Sequence, residues 1–239
     1  MLSSTLKPLQ RPLGLSSLGW LAAWSSSQMA TTPDVIDTMP SLVGDNPVQP
    51  TLAKQPRIAG DFGKMLQFDG VSCVIPVDLS AITSEDQLTV YTVSVPTSAA
   101  TGIIVEATAL YYTTNGVSHF MGGTPYAGHG APINYRQLLL SAENIPTSLA
   151  STHDRTGILG NEIVAYLDAE EQTVFTSSGD ADTAGNFAVG TGSWIGARDN
   201  GASSPFNGYI AFVGVRSGID SAETISRTNA QLAKHWRTH

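Results

Sequence analysis

Four groups of side chains in this chain have chemical potential, and each points to a different activity. Asp168, Glu170 and Glu171 form the densest carboxylate group. Two of them spaced by two residues on a strand would share a face at about 6 to 7 Å, in the range of the paired acids of glycoside hydrolysis. They fall at a turn with no aromatic neighbours in sequence, so a solvated turn is expected. Asp180, Asp182 and Asn186 offer oxygens to a hard cation such as calcium, yet their spacing fits no defined binding loop, and no metal is expected. The histidines at 119, 129, 153, 235 and 239 show neither HxH nor HExxH spacing, and no serine stands in a Gly-x-Ser-x-Gly elbow. No catalytic residue, and no enzyme, is expected.

The fourth group suits sugar recognition, which combines aromatic faces for C–H surfaces with planar polar groups for hydroxyls. Tyr111, Tyr112, His119, Tyr126 and His129 lie near one another in sequence, and Arg198, Asp199 and Asn200 follow on a late hairpin. Adjacent strand residues face opposite sides, so one of Tyr111 and Tyr112 is expected to face outward. The candidate carbohydrate-binding set is Tyr112, His119, Tyr126, His129, Arg198, Asp199 and Asn200, with no cofactor.

Short strands must position these residues. Gly19 to Trp24 reads as the first strand, followed by a polar, proline-punctuated connection. Asp69-Gly70 is a tight-turn signal between two apolar runs. From Leu88 to Val95, residues Val90, Thr92 and Ser94 face one way and Tyr91, Val93 and Val95 the other. Ile103–Tyr112 and Ser118–Met121 pair around Thr-Thr-Asn-Gly, and Gly122–Gly130 reads as a glycine-rich loop. Strands at Tyr135–Leu140, Glu162–Leu167 and Thr173–Phe175 follow, then a long loop from Ser177 to Gly192. Trp194–Ala197 and Tyr209–Val215 form the last pair, with Ile210 and Phe212 on one face and Ala211 and Val213 on the other. A helix closes the chain, with Asp220 as its N-cap, Glu223 reaching back, and Ile225, Leu232 and Trp236 on one apolar stripe.

Length and composition fit this outline. The chain has 239 residues, 36 of them Gly or Pro, with 13% charged, which suits one large all-β domain of short strands. A net charge of −8 disfavours nucleic acid and acidic partners. The single cysteine, Cys73, excludes an internal disulfide and reads as a small buried apolar residue. Residues 1–18 carry Pro8 and Pro12 and no period, which predicts an extended arm before a sandwich over 19–239. Lys7 and Arg11 ahead of Leu13–Trp24 have the order of a secretory signal, but glycines and serines dilute the apolar run. No run of about 18 apolar residues exists to cross a membrane.

Several stretches together carry a resemblance. They are Trp20-Leu-Ala-Ala-Trp24, Leu42 to Pro56, Leu66-Gln-Phe-Asp-Gly70, Ile195-Gly-Ala-Arg-Asp-Asn-Gly, Pro205-Phe-Asn-Gly-Tyr-Ile-Ala, Ala222-Glu223 and Gln231-Leu-Ala-Lys-His-Trp236. In this order the chain resembles laminin-G-like, concanavalin A-like domains over nearly its whole length. The resemblance implies an all-β concanavalin A-like jelly-roll sandwich of two antiparallel sheets with a short C-terminal α-helix. Such domains are frequent in bacteriophage virion proteins and large secreted bacterial proteins. It therefore implies a non-enzymatic structural or adhesion protein of a phage virion, as head decoration, fibre or tail component. The arm would hold neighbouring virion proteins, the particle would carry the domain as a homo-oligomer, and a host-surface glycan is the possible ligand. A carbohydrate-binding module of a secreted bacterial protein is the alternative, and a glycoside hydrolase a further one. Ser72 and Cys73 stand where many relatives have two aspartates, which weakens a calcium site at that turn. Asp168-Ala169 replaces the usual Asn-Gly, and the Glu, Asp, Glu strand of glycosidase members is not found.

Overall fold

The computed structural model describes residues 19–26, 38–59, 65–107, 115–122, 125–129, 134–137, 144–156, 163–172, 176–178, 184–189 and 192–236. The expected arm, and Tyr111, Tyr112, Asp180 and Asp182, lie outside them. The first strands are β1 (Trp20–Ser25), β2 (Ser41–Val43), β3 (Arg57–Ala59), β4 (Met65–Asp69), β5 (Ile75–Val77) and β6 (Gln87–Pro96). Next come β7 (Gly102–Glu106), β8 (Val117–Met121), β9 (Tyr126–His129), β10 (Asn134–Gln137) and β11 (Thr147–Asp154). The chain continues through β12 (Ile163–Leu167), β13 (Glu170–Glu171), β14 (Thr176–Ser178), β15 (Ser193–Ile195) and β16 (Asn207–Ser217) to α1 (Ala222–Trp236).

Two antiparallel sheets result, as expected of a jelly-roll sandwich. One runs β13-β12-β11-β6-β16-β1-β2, with β4 also on β16 and β3 on β4; the other runs β14-β10-β9-β8-β7-β15-β5. Leu66, Phe68, Leu88, Val90, Ile195 and Val213 belong to the core between them. On the outer face of the first sheet, Trp20, Tyr91 and Phe212 pack with Ile225, Leu232 and Trp236 of α1. The apolar stripe of the helix thus stays out of water on the sheet, as its spacing predicts.

Strand β16 organises the first sheet. One edge follows β6, and the other is shared by β4 along Asn207–Ile210 and β1 along Phe212–Arg216. A bulge falls between Ile210 and Phe212, where the partner changes. It reverses the expected parity: Ile210 packs in the inter-sheet core, while Phe212 joins Ala211 under the helix.

Three further expectations are corrected. Gly122–Gly130 is not simply a loop, because β9 lies within it and finds ladder partners on both sides, β8 and β10. Strand β11 occupies a stretch read as polar loop. It is buried from Thr147 to His153 between β6 and β12. The helix N-cap is Ser221, whose Oγ accepts the Thr224 N–H at 3.2 Å. Asp220 is engaged elsewhere, accepting from Tyr91 Oη at 2.7 Å and Arg216 Nη1 at 2.9 Å.

Candidate functional site

The histidines expected on a glycan-binding surface turn inward. Val117, His119 and Met121 share one side of β8, and the two apolar members belong to the inter-sheet core. His119, His129 and His153 each have no exposed surface. A side chain without exposed surface cannot stack on a sugar, so His119 and His129 leave the expected recognition set.

They form instead a hydrogen-bonded relay between the sheets. Thr92 Oγ1 of β6 lies 3.2 Å from His119 Nδ1, and His119 Nε2 lies 2.5 Å from Ser151 Oγ of β11. Ser151 Oγ lies 2.6 Å from His153 Nε2, and His153 Nδ1 lies 3.2 Å from His129 Nδ1 of β9. Its far end fixes its direction. Thr92 Oγ1 reaches the Leu149 carbonyl at 3.4 Å, and a carbonyl can only accept. With the Thr92 proton on that carbonyl, His119 donates from Nδ1 and accepts at Nε2 from Ser151. Ser151 then accepts from His153 Nε2–H, and His153 Nδ1 accepts from His129 Nδ1–H. All five contacts are met with neutral rings, whereas the reverse direction leaves the carbonyl contact unmade. Burial, then the neighbouring His153, holds His119 well below the ordinary imidazole range. Burial alone lowers His153 to about 3.

Arg198 is also structural. Its Nε donates to both oxygens of Glu106, at 3.1 and 2.9 Å, and Glu106 is fully buried. Its guanidinium lies 5.7 Å from the Phe120 ring centre. This pair anchors a loop closed by Arg198 N–H to Ser203 O at 2.9 Å and Ser203 N–H to Arg198 O at 3.3 Å. Asp199 and Asn200 are exposed at its tip, in left-handed conformations with φ of 49° and 53°. Tyr126 opens β9 opposite Phe120. The carboxylates weighed for hydrolysis flank the β12–β13 turn, where Asp168, Glu170 and Glu171 are all exposed. Asp168 and Ala169 take φ of 51° and 75°, and Asp168 Oδ1 accepts the Ser148 N–H at 2.9 Å.

Beside the 198–204 loop opens a cleft of about 450 Å³ that the sequence does not single out. It is lined by Leu52, Ala53, Gln55, Arg57, Gln67, Asp69 and Cys73. Lys54 Nζ ties its wall to the loop, donating to Asn200 O at 2.6 Å. Arg57 and Gln67 stand directly opposite each other on β3 and β4. Gln55 and Asp69 lie two residues away along the chain on each side and also line the cleft, with the Gln55 amide donating to the Gln49 carbonyl at 2.7 Å.

Asp69 also builds the turn that closes one wall. Its Oδ1 accepts the backbone N–H groups of Val71, Ser72 and Cys73, each at 2.9 Å. Burial alone would raise its carboxyl, but these donors outweigh burial and lower it to about 2. Cys73 is pushed up to about 11, first by burial. Among the described residues the lining contains no aromatic ring; its apolar surface is Leu52, which is 72% exposed, with Ala53. No three His, Cys, Asp or Glu residues are grouped as metal ligands among the described residues.

No protein-family model matches the sequence, and no curated protein does. Solved structures do match. The CBM40 of the Ruminococcus gnavus IT-sialidase bound to alpha2,3 sialyllactose aligns at 14% identity, over 69% of this chain and 95% of that one, with a TM-score of 0.51. Domain 4 of AbnA, a GH43 extracellular arabinanase from Geobacillus stearothermophilus, in complex with arabinotriose, aligns at 14% identity over 73% and 81%, with a TM-score of 0.52. A Trypanosoma rangeli sialidase in complex with sialic acid aligns at 12% identity over 92% of this chain but 34% of its own, with a TM-score of 0.55. At these identities the likeness is one of fold, the lectin-like jelly-roll sandwich.

Proposed function

We propose that the chain is a non-catalytic carbohydrate-binding β-sandwich whose recognition surface is the cleft between Leu52 and Cys73. The observation that carries this reading is the cleft lining of Gln55, Arg57, Gln67 and Asp69. It sets four planar polar groups beside the exposed Leu52, the pairing of polar and C–H contacts that a sugar needs. Sandwiches of similar fold bound to sialyllactose and arabinotriose support it by analogy. The exposed tip at Asp199 and Asn200 borders the cleft through Lys54, and in this reading extends the surface.

A glycan array followed by calorimetry on the strongest ligand tests the assignment. Arg57→Ala and Gln67→Ala are both at exposed positions, so they should lower affinity about tenfold each while leaving the melting temperature within about 1 °C. Unchanged affinity in both variants would remove the cleft from the reading.

On the resemblance of its sequence, we assign the domain to a phage virion. Residues 1–18 would hold it to neighbouring virion proteins, in several copies, with a host-surface glycan as target. The same module in a secreted bacterial protein is the competing assignment. Imaging of particles labelled on this chain separates the two, since a secreted module leaves them unlabelled.

A further inference from the structure

We propose that the cleft takes a saccharide bearing a carboxylate, sialic or uronic, seated on Arg57 and Gln67, with Arg57 as the residue that sets its preference over neutral glycans. The proposal rests on the reading of the cleft as a sugar site and names the class of sugar.

Arg57 and Gln67 stand directly opposite each other on β3 and β4, on the side away from the core residues Leu66 and Phe68. Both side chains are exposed, and neither has a hydrogen-bond or ion-pair partner among the described residues. Their polar neighbours in the lining are already engaged. The Gln55 amide donates to the Gln49 carbonyl at 2.7 Å, and Asp69 Oδ1 accepts three backbone N–H groups at 2.9 Å. The open donors of the cleft are therefore a guanidinium fork and an amide, on Cβ atoms about 5 Å apart. A carboxylate is planar and only accepts, which is what the fork matches, and its hydroxyl-bearing ring reaches the amide beside it.

The local charges favour the same ligand. Arg57 in the lining and Lys54 on its wall are cations, Asp69 is the single anion of the lining, and the Cys73 thiol, pushed up to about 11, is neutral. Asp69 is diagonal to Arg57 across the β3–β4 register, at about 7 to 8 Å. A carboxylate in contact with the guanidinium, at about 4 Å, is drawn in about twice as strongly as Asp69 repels it. At effective dielectric constants of about 80 to 20 the balance is a gain of about two- to twenty-fivefold, and at an exposed position the lower part of that range applies. The net charge of −8 is spread over the whole chain and is screened beyond about 8 Å at physiological ionic strength, so it does not reverse this balance.

The test is an array carrying sialylated and uronic oligosaccharides beside their neutral counterparts, followed by titration of the best matched pair; its two acidic arms tell which carboxylate is read. The acidic member should bind about fivefold more tightly than the neutral one, and the margin should shrink between about 20 and about 500 mM salt. Arg57→Gln removes the charge and should abolish the margin, whereas Arg57→Lys keeps the charge without the fork and should retain part of it. Asp69→Asn keeps an oxygen for the turn amides and removes the anion, so it should widen the margin about twofold or more. Neutral binding as tight as acidic binding, or a margin unchanged in Arg57→Gln, overturns the proposal. If that happens while Gln67→Ala still weakens binding about tenfold, the cleft remains a sugar site of another class. If no glycan binds, the cleft reading falls together with the proposal.

Discussion

Lowering the pH from 7 to 5 should destabilise the fold by about 2 kcal/mol or more through the histidine relay. His119 and His153 are neutral in the folded chain, with ring protonation depressed by burial. In the unfolded chain each takes up a proton near pH 6.5. Below that value the unfolded state binds more protons than the folded one, so stability is fully present above about 6.5 and drains away as pH falls. The loss continues for His153 until about 3, where the folded ring also protonates. A group contributes about 1.36 kcal/mol per pH unit, hence about 2 kcal/mol at pH 5 for His153, and His119 acts in the same direction. Even the His153 share is a sizeable part of the roughly 5 to 15 kcal/mol that stabilises such a domain. Unfolded carboxylates titrate near 3.9 to 4.3, below this window.

The described surroundings of the rings are of the same kind. β6 contributes the hydroxyl of Thr92, and the 184–189 segment presents the Phe187 ring, whose centre is 6.0 Å from that of His129 and 6.5 Å from that of His153. The Arg155 guanidinium lies 5.5 Å from the centre of the same phenylalanine. Urea unfolding followed by tryptophan fluorescence at several pH values provides the measurement. His153→Gln lowers stability at every pH but should halve the slope between 6.5 and 5. A wild-type stability at pH 5 within about 0.5 kcal/mol of that at pH 7 would refute this account.

Other outcomes follow from single contacts. Nitrogen NMR should find His119 and His129 protonated on Nδ1 and His153 on Nε2 in the folded chain at neutral pH; the opposite set reverses the relay. Trp236→Ala should cost about 3 to 5 kcal/mol, because the ring is 5% exposed under the sheet. Trp236→Phe should cost clearly less, since the buried indole N–H has no hydrogen-bond partner among the described residues. Arg198→Ala should cost about 3 kcal/mol by leaving Glu106 buried without its cation, and thermal unfolding should register it whether or not glycan is present. Cys73 should resist thiol reagents at pH 7.5 until denaturant is added, given its raised thiol.

The sandwich was legible because most of its strands follow apolar parity. Leu88 and Val90 face the core and Tyr91, Val93 and Val95 the helix, as the alternation of β6 predicts. β11 was not legible for the opposite reason. Thr147-Ser-Leu-Ala-Ser-Thr-His-Asp154 reads as polar loop, yet hydroxyls and imidazoles can be buried when each finds a partner, and Ser151 joins two histidines at once. Nothing in a one-dimensional pattern says that His119, thirty-two residues earlier, supplies that partner. The N-cap was misplaced on similar grounds. Asp220 and Ser221 both have capping side chains, and only the tertiary claims of Tyr91 and Arg216 on Asp220 decide between them.

Parity carries the remaining lesson about the site. Val117, His119 and Met121 alternate with Ser118 and Phe120, and two apolar residues flanking a histidine at period two argue that it points inward. The same reasoning applied to Met65-Leu-Gln-Phe-Asp69 sets Gln67 and Asp69 on the side opposite Leu66 and Phe68, which are core residues. Both remain exposed there. What parity cannot supply is the partner strand. The facing of Gln67 by Arg57 depends on the register of β3 on β4, and the cleft exists only because the turn closed by Asp69 carries Cys73 back against Gln55, whose carbonyl lies 3.5 Å from the thiol. One oxygen of Asp69 thus builds the wall of the cleft through three amides, and the other lies 3.4 Å from Ser72 Oγ. Asp69→Ala should therefore loosen the turn and lower the melting temperature, whereas Asp69→Asn, which keeps an accepting oxygen for the amides, should lower it clearly less.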